Sequence, residues 1–431
     1  MTAPKGAPKA GPKGARGAGR AALAFIFITV LLDMMALGMV TPVLPHLLNT
    51  FLAGNTSYAA VFYGLFNASF ALMQFFFSPL LGALSDRFGR RPLILASNLG
   101  LGLNYALLAW APNLQWLFLG RVISGITGAS FGTASAYIAD TTPPDERAHA
   151  FGMLGAAFGA GFVLGPALGG FLAEWDPKAP FWVAAALSLA NAAYGAFVLP
   201  ESLPKSCRHG FSWKRANPIG ALAFLRRHPE LFALSGVQFL SNLAQVSLPS
   251  TVVLYAIYRY GWGPSSLGLT LAICGVTLII VQVGLVGRFV RAFGYRAALV
   301  AGLLFGAAGL FIAGIASTGV QFWWAIPVIA MWGLAGAASQ GIMTRHVSAS
   351  EQGQLQGANA SLVGIVELAG PLIFPFIFAY FARPGQPVER SGAPFLLAAL
   401  ILVMAAAWAF AATRKEAQYA MPEETGSPPT A

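Results

Sequence analysis

Three ionisable residues stand inside stretches that are otherwise apolar: Asp33 in LLDMMALGMV, Arg121 in LGRVISGITG and Glu367 in GIVELAGP. A charge that deep in a bilayer costs about 3 kcal/mol even on lenient scales, so each needs a chemical reason to be there. A carboxylate can take up and release protons, whereas a guanidinium must find an anion or several carbonyl groups. Asp33 is a candidate anion for Arg121. Such a pair is either a static clamp or a switch in which the carboxylate's proton affinity changes as the arginine approaches or leaves. The switch is favoured, because a permanent buried pair adds little stability over apolar packing. Glu367 ends a stripe formed by Gln352, Gln356, Asn359 and Val363, spaced by three or four residues along one helix face. A carboxylate facing lipid would lack such company, so the stripe points inward. Asp33 and Glu367 are the expected proton-coupling pair, with Arg121 as charge partner.

Other polar groups recur at helical spacing. Gln238, Asn242 and Gln245 share one face, and Asn67 and Gln74 lie two turns apart. Each amide reads equally well as a helix-to-helix hydrogen bond. Together with Phe66, Phe70, Met331 and Asn359 they suit a cavity that is apolar with a few convergent polar groups. The segment GALSDRFGRRP contributes Gly82, Asp86, Arg87, Gly89, Arg90 and Arg91 to a short loop. Asp86 can cap the third helix or a neighbouring one, and Arg90 can pair with Asp140, which gives a gate of exposed ion pairs weak enough to reopen. In GAGFVLGPALGG, Gly161, Gly165 and Gly169 fall four apart beside Gly170, a bare face for close helix approach, and Pro166 bends the helix.

These residues need an apolar scaffold, and the composition supplies one. Of 431 residues, 57% are hydrophobic and 10% charged, outside the range of soluble globular domains. Twelve stretches have spanning length: 21–49, 59–83, 92–111, 113–139, 148–174, 180–199, 230–257, 263–287, 296–317, 321–345, 354–382 and 391–412. The fold class expected is an all-α membrane protein of twelve transmembrane helices. The net charge of +11 does not imply nucleic acid, because its placement follows topology. With both termini cytoplasmic, Lys178, Arg259, Arg383 and Arg390 fall outside, Arg121 falls in the membrane, and every other Lys and Arg is inside. The basic arm 1–20 serves topology and contact with anionic lipid. Cys207 and Cys274 are not expected to form a disulfide, and no spacing suggests a metal site or cofactor.

The chain is also duplicated. At a constant offset of 205 residues Gly82, Gly89 and Arg91 correspond to Gly287, Gly294 and Arg296, Glu146 to Glu351, and Gly165-Pro166 to Gly370-Pro371. The expected organisation is therefore an arm (1–20), a six-helix half (21–200), a cytoplasmic linker (201–229), a second half (230–412) and a tail (413–431). Rocking of two such halves about a site at mid-membrane is the transport geometry of inverted or duplicated repeats.

The motifs carry a family resemblance over nearly the whole chain. GALSDRFGRRPLIL (82–95), LGRVISGITGAS (119–130), GAGFVLGPALGGFL (159–172) and LLDMMALGMVTPVLPHL (31–47) resemble those of the twelve-span drug:proton antiporters of the major facilitator superfamily. AYIADTTPPDERAHAFG (136–152) and RHVSASEQGQLQG (345–357) are similar to segments of the tetracycline/proton antiporters. The resemblance implies proton-driven efflux of amphipathic drugs by alternating access, with protons and a small-molecule substrate as partners and no cofactor; the sequence shows no organelle-targeting feature, so a bacterial inner membrane is the expected location, and a monomer is expected. The tetracycline exporters carry acids in spans one, three and nine. Asp33 matches the first, Asn104 and Gly306 stand at the other two, and Glu367 has no counterpart. An importer or facilitator of a metabolite is the alternative, and a non-transporting sensor a weaker one. No grouping of nucleophile, base or phosphate loop suggests an enzyme.

Overall fold

The computed structural model describes residues 13–128, 130–142, 147–203, 229–345 and 352–414. The arm before residue 13, Glu146, the linker from 204 to 228 with Cys207, Glu351 and the tail from 415 lie outside the described residues. So do the side chains of Gln352 and Gln356. The first half comprises α1 (Lys13–Val40), α2 (Val43–Phe51), α3 (Thr56–Phe88), α4 (Arg90–Trp110), α5 (Leu114–Thr127), α6 (Ser130–Thr141), α7 (Arg147–Trp175) and α8 (Ala179–Val198). The second comprises α9 (Pro229–Tyr260), α10 (Pro264–Ile279), α11 (Val286–Ile315), α12 (Gly319–Ala330), α13 (Gly333–Arg345), α14 (Gln352–Phe381) and α15 (Ala393–Ala412).

Among the described residues, ten helical stretches are long and apolar enough to cross a bilayer, and one of them, Pro264–Ile315, has 52 residues. At about 1.5 Å per residue that exceeds two hydrocarbon thicknesses of roughly 30 Å. It breaks at Gly294 (φ 79°, ψ 168°), the repeat partner of Gly89 (φ 108°, ψ 161°) between α3 and α4. Only glycine takes these backbone angles without strain, so the duplication has kept both residue and turn. With the interrupted pair α5 and α6 counted as a further crossing, the architecture is consistent with the twelve spans expected.

Three spans read as continuous are interrupted. Thr41 and Pro42 separate α1 from α2, Gly128 closes α5, and Met331 and Trp332 separate α12 from α13. Pro42 has no N–H to continue a helix, and glycine is a poor interior helix residue. Hydropathy hides such breaks because the residues around them stay apolar. A π-helical turn, Ile280–Leu285, also interrupts the eighth span.

Helices meet where side chains are missing. A Cβ on Gly161, Gly165 or Gly169 of α7 would stand 2.3–2.6 Å from backbone oxygens of Leu31, Met35 and Met39 on α1. Between the halves, Gly170 lies against Pro264 and Gly268 of α10, and Gly64 of α3 lies against Pro371 and Pro375 of α14. In lipid, where apolar burial drives little association, such backbone proximity supplies the dispersion contact that holds helices together.

The halves are not packed equally at both ends. Let the terminal end be the one bearing the start of α1 and the close of α15, and the distal end its opposite. At the distal end the largest core cluster joins both halves through residues such as Met39, Phe66, Tyr255 and Phe378. Near the terminal end a separate cluster around Phe25, Ile94 and Tyr137 belongs to the first half alone. Along the same helices, added Cβ atoms at Gly82, Gly155 and Gly159 would meet nothing within 4 Å. The two halves therefore close together distally and part at the terminal end.

Replacing Gly169 by alanine should cost about 1–3 kcal/mol through overpacking against Met39, whereas Gly155→Ala should be neutral. Thermal unfolding of the detergent-solubilised protein, followed by tryptophan fluorescence, should lower the midpoint only for the first.

Candidate functional site

Arg121 lies on α5, where Gly120, Gly125 and Gly128 leave room for neighbouring helices; an added Cβ on Gly125 would stand 2.5 Å from the Phe70 carbonyl oxygen of α3. That approach brings α3's polar stripe onto the arginine. Arg121 Nη2 donates to Asn67 Oδ1 at 2.7 Å, and the guanidinium carbon sits 4.7 Å from the Phe70 ring centre. An amide oxygen and an aromatic face thus solvate the buried cation. Tyr63 of α3 and Tyr105 of α4 also lie within electrostatic reach of Arg121, and Tyr105 is equally a neighbour of the buried Asp33 of α1. The structure therefore gathers Asp33, Arg121, Asn67, Phe70, Tyr63 and Tyr105 from four helices of the first half.

Glu367 stands on α14. One face of this helix, through Ile365, Ile373, Phe376 and Tyr380, is exposed along its length, as a face toward lipid must be. Another face is exposed only toward the terminal end, at Ala360, Val363 and Glu367, and continues distally as the fully buried Phe374 and Phe378. Glu367 hence lies on the wall of the opening between the halves and not on the lipid side. The equivalent region of α7 repeats the pattern. Gly155, Phe158 and Phe162 are exposed near the terminal end, while Pro166 and Gly169 on the same side are buried distally. Phe158 and Phe162 stack with ring centres 6.5 Å apart and planes 7° from parallel. One helix thus offers the opening a carboxylate, and its repeat partner offers a pair of rings.

The loop cluster is assembled within the first half. Arg90 pairs with Asp86 at 2.6 Å and with Asp140 at 3.1 Å, and also bonds Ser85. The expected helix cap is corrected: Glu201 Oε1, not Asp86, accepts the Arg90 backbone N–H at 2.8 Å at the start of α4. Asp86 is drawn to the Arg90 side chain instead, leaving the cap to a carboxylate arriving from the end of α8. Arg91 donates to the Ala196 carbonyl oxygen in the last turn of α8, and its repeat partner Arg296 to that of Phe410 in the last turn of α15. Both arginines satisfy carbonyls that a helix end leaves open. Arg87 lies over the ring of Phe88.

The remaining cavity residues divide. Gln238 Nε2 bonds Asn242 Oδ1 at 3.1 Å along α9, and Gln245 is exposed one turn further on. Gln74 lies beside Gly128. Asn359 Nδ2 reaches only Met343 Sδ at 3.9 Å, and its Oδ1 is buried without a hydrogen bond. Two of the residues expected to line the cavity pack on the core. Phe66 is a core residue, tilted against Phe118, and Met331 packs on the cluster of Val281, Val286, Ala330 and Leu334. Tyr63, Tyr105 and the Phe158–Phe162 pair were not singled out in the sequence; buried phenols in an apolar helix were the signal available.

The two positions where acids are missing have structural occupants. Asn104 Nδ2 donates to Ser124 Oγ at 2.6 Å. At Gly306 the room for a side chain is filled by the Trp332 indole, 2.8 Å from an added Cβ, and that indole donates to Ser241 Oγ at 3.0 Å. A neutral amide and a tryptophan stand where the resemblance would place protons.

Comparison with known proteins agrees with this architecture. The sequence pattern of the family described as Major Facilitator Superfamily matches residues 26–371. The tetracycline resistance protein, class C, of Escherichia coli is 37% identical over 391 residues, covering 90% of this chain and 97% of that protein. The class H protein of Pasteurella multocida is 33% identical, covering 82% and 88%. Among solved structures, a bacterial homologue of the human lysosomal transporter Spinster, inward-facing and unoccupied, superposes with a TM-score of 0.73 at 19% identity, covering 96% of this chain and all of that one. The human organic anion transporter MFSD10 gives 0.67 at 22% identity, covering 91% and 99%.

Gly306→Asp should destabilise the protein by at least ~3 kcal/mol, since the carboxylate must displace Trp332 and has no cation beside it. Fluorescence-detected size-exclusion chromatography should show loss of the folded peak, with partial recovery when Trp332→Ala opens the space.

Proposed function

We propose that this chain, which belongs to the Major Facilitator Superfamily, is a proton-coupled exporter of amphipathic small molecules, with tetracycline-type compounds as the leading cargo. The observation that carries the reading is the opening between the halves, walled by Glu367 on α14 and by Phe158 and Phe162 on α7. An exposed carboxylate on one helix and exposed stacked rings on its repeat partner suit a flat molecule with a polar or cationic edge. Tetracycline is favoured because the relatives are named for resistance to it.

In this reading the terminal end is cytoplasmic, since Arg87, Arg90, Arg91, Arg288, Arg291, Arg296, Arg345 and Arg414 gather there. The conformation described is then the loading state of an alternating-access cycle. Cargo enters from the cytoplasm while Asp33 and Glu367 are deprotonated. The halves rock, the distal contacts open, and protonation from outside releases the cargo. Asp33 is the main coupling site, because Tyr105, a neighbour of both Asp33 and Arg121, links its charge to the buried cation. Glu367 takes a second proton or a cationic edge of the cargo. The cluster of Asp86, Arg90 and Asp140, intact within the first half here, is free to engage the second half when the cytoplasmic face shuts.

In inverted membrane vesicles, wild type should accumulate labelled tetracycline when a proton gradient is imposed, and Asp33→Asn should reduce gradient-driven accumulation to background with membrane insertion unchanged. Accumulation in right-side-out vesicles instead would indicate an importer. Glu367→Gln should retain export of neutral compounds and raise the KM for cationic ones roughly tenfold, the loss of one charge-assisted hydrogen bond. A drug panel in an efflux-deficient host, wild type beside both variants, reads the cargo class directly.

A further inference from the structure

The polar groups around Arg121 form a chain that leaves the first half. Tyr63 donates at 3.2 Å to the carbonyl oxygen of Pro249 on α9 in the second half and lies one turn before Asn67 on its own helix, close enough for the two side chains to interact. Donor and acceptor roles are forced by chemistry. A carbonyl cannot donate, so the single phenol proton goes to Pro249. Asn67, whose Oδ1 accepts from Arg121 at 2.7 Å, can then meet the phenol oxygen only as a donor, through Nδ2. The order is Arg121, Asn67, Tyr63, Pro249, with a hydrogen bond at each end and Asn67 and Tyr63 one turn apart on α3 between them. It begins at the buried cation and ends on the backbone of the other half.

Its end lies in the part of the protein where the halves are closed. Tyr63 is 5% exposed and belongs to the core cluster that joins them, and one and a half turns away Ser57 Oγ donates across the same seam to the Ala379 carbonyl oxygen at 2.7 Å. The Ser57 bond closes the seam without leading to a charge, whereas the Tyr63 bond leads to one. The ionisable groups facing this phenol are Arg121 of α5 and, beyond it, Asp33 of α1 and Tyr105 of α4.

We propose that Tyr63 is a positioning residue that ties distal closure of the two halves to the state of the Asp33 and Arg121 neighbourhood. When Arg121 is drawn toward an ionised carboxylate or released from a protonated one, Asn67 moves with it, and the phenol either holds or drops the Pro249 carbonyl. The inference rests on the transport reading only for the identity of the distal end as the outer face. Its physical content is that a change of charge in one half is felt at a contact made by the other.

The test uses the full chain in membranes, with Cys207→Ser and Cys274→Ser to remove the native thiols and Ala379→Cys as a reporter buried at the distal seam. An impermeant maleimide added outside labels that thiol only when the distal face opens. In the otherwise unaltered protein the labelling rate should vary with external pH. Tyr63→Phe, which deletes one oxygen and keeps the ring, should raise the rate roughly fivefold, as expected for one lost hydrogen bond, and flatten its pH dependence. Asn67→Ala should do the same, and the double variant should be no more open than either single one. Labelling that is unchanged in Tyr63→Phe, or additive effects in the double variant, would overturn the proposal. A purely structural role for Tyr63 would raise the rate and leave its pH dependence in place, which also counts against it. Wild-type drug accumulation in inverted vesicles is scored separately, so a failure of the transport reading leaves the labelling result to decide this one.

Discussion

The closest approaches in this bundle are between backbones. Gly161, Gly165 and Gly169 let α7 rest on α1, Gly64 lets α3 rest on the proline-bent stretch of α14, and Gly170 with Gly268 lets α7 cross α10. A methyl group at any of these positions would collide with main-chain atoms that cannot rotate away. The rest of the architecture depends on this constraint, because it fixes where the halves touch and so where they can part. Closely packed crossings at mid-membrane and distally act as a fulcrum. The same helices carry glycines with open space around them near the terminal end, where Gly82, Gly155 and Gly159 meet nothing.

That asymmetry gives the ionisable groups their different situations. Arg121 lies where the bundle is dry, and it is solvated by an amide, an aromatic ring and nearby phenols, an arrangement that lets a cation persist without water. Glu367 lies at the depth where the second half turns from packed to open, with Phe374 and Phe378 sealed on one side of it and Val363 uncovered on the other. In the proposed cycle a carboxylate at that boundary would reach solvent in one conformation and be enclosed in the other, as a group that exchanges protons on alternate sides requires.

The duplication explains where the design is conserved between halves and where it diverges. Gly89 and Gly294 keep the same left-handed backbone, and Arg91 and Arg296 keep the same task of satisfying carbonyls in the last turn of α8 and α15. The positions proposed to take part in transport differ. Phe162 stands opposite Glu367, and Gly306 has given its space to Trp332. Structural turns tolerate copying because both halves need them, whereas a cavity lined identically on both sides would have no direction.

Apolar length is a property read along one dimension, and it was enough to give the all-helical membrane class and a set of spans with which the structure is consistent. The depth of Asp33, Arg121 and Glu367 was legible for the same reason, as was the pairing of Arg90 with Asp140 from a short loop beside a helix end. The sequence was silent on the breaks at Pro42, Gly128 and Met331, because hydropathy does not change across them. It could not show that Glu201 caps α4, that Tyr63 reaches Pro249, or that Trp332 fills the place of an acid. Those contacts join residues 26–186 positions apart, and which helix faces which is decided by packing. Which end is open was likewise set only by the tertiary structure, since one sequence must serve both conformations and the difference lies in which crossings are made.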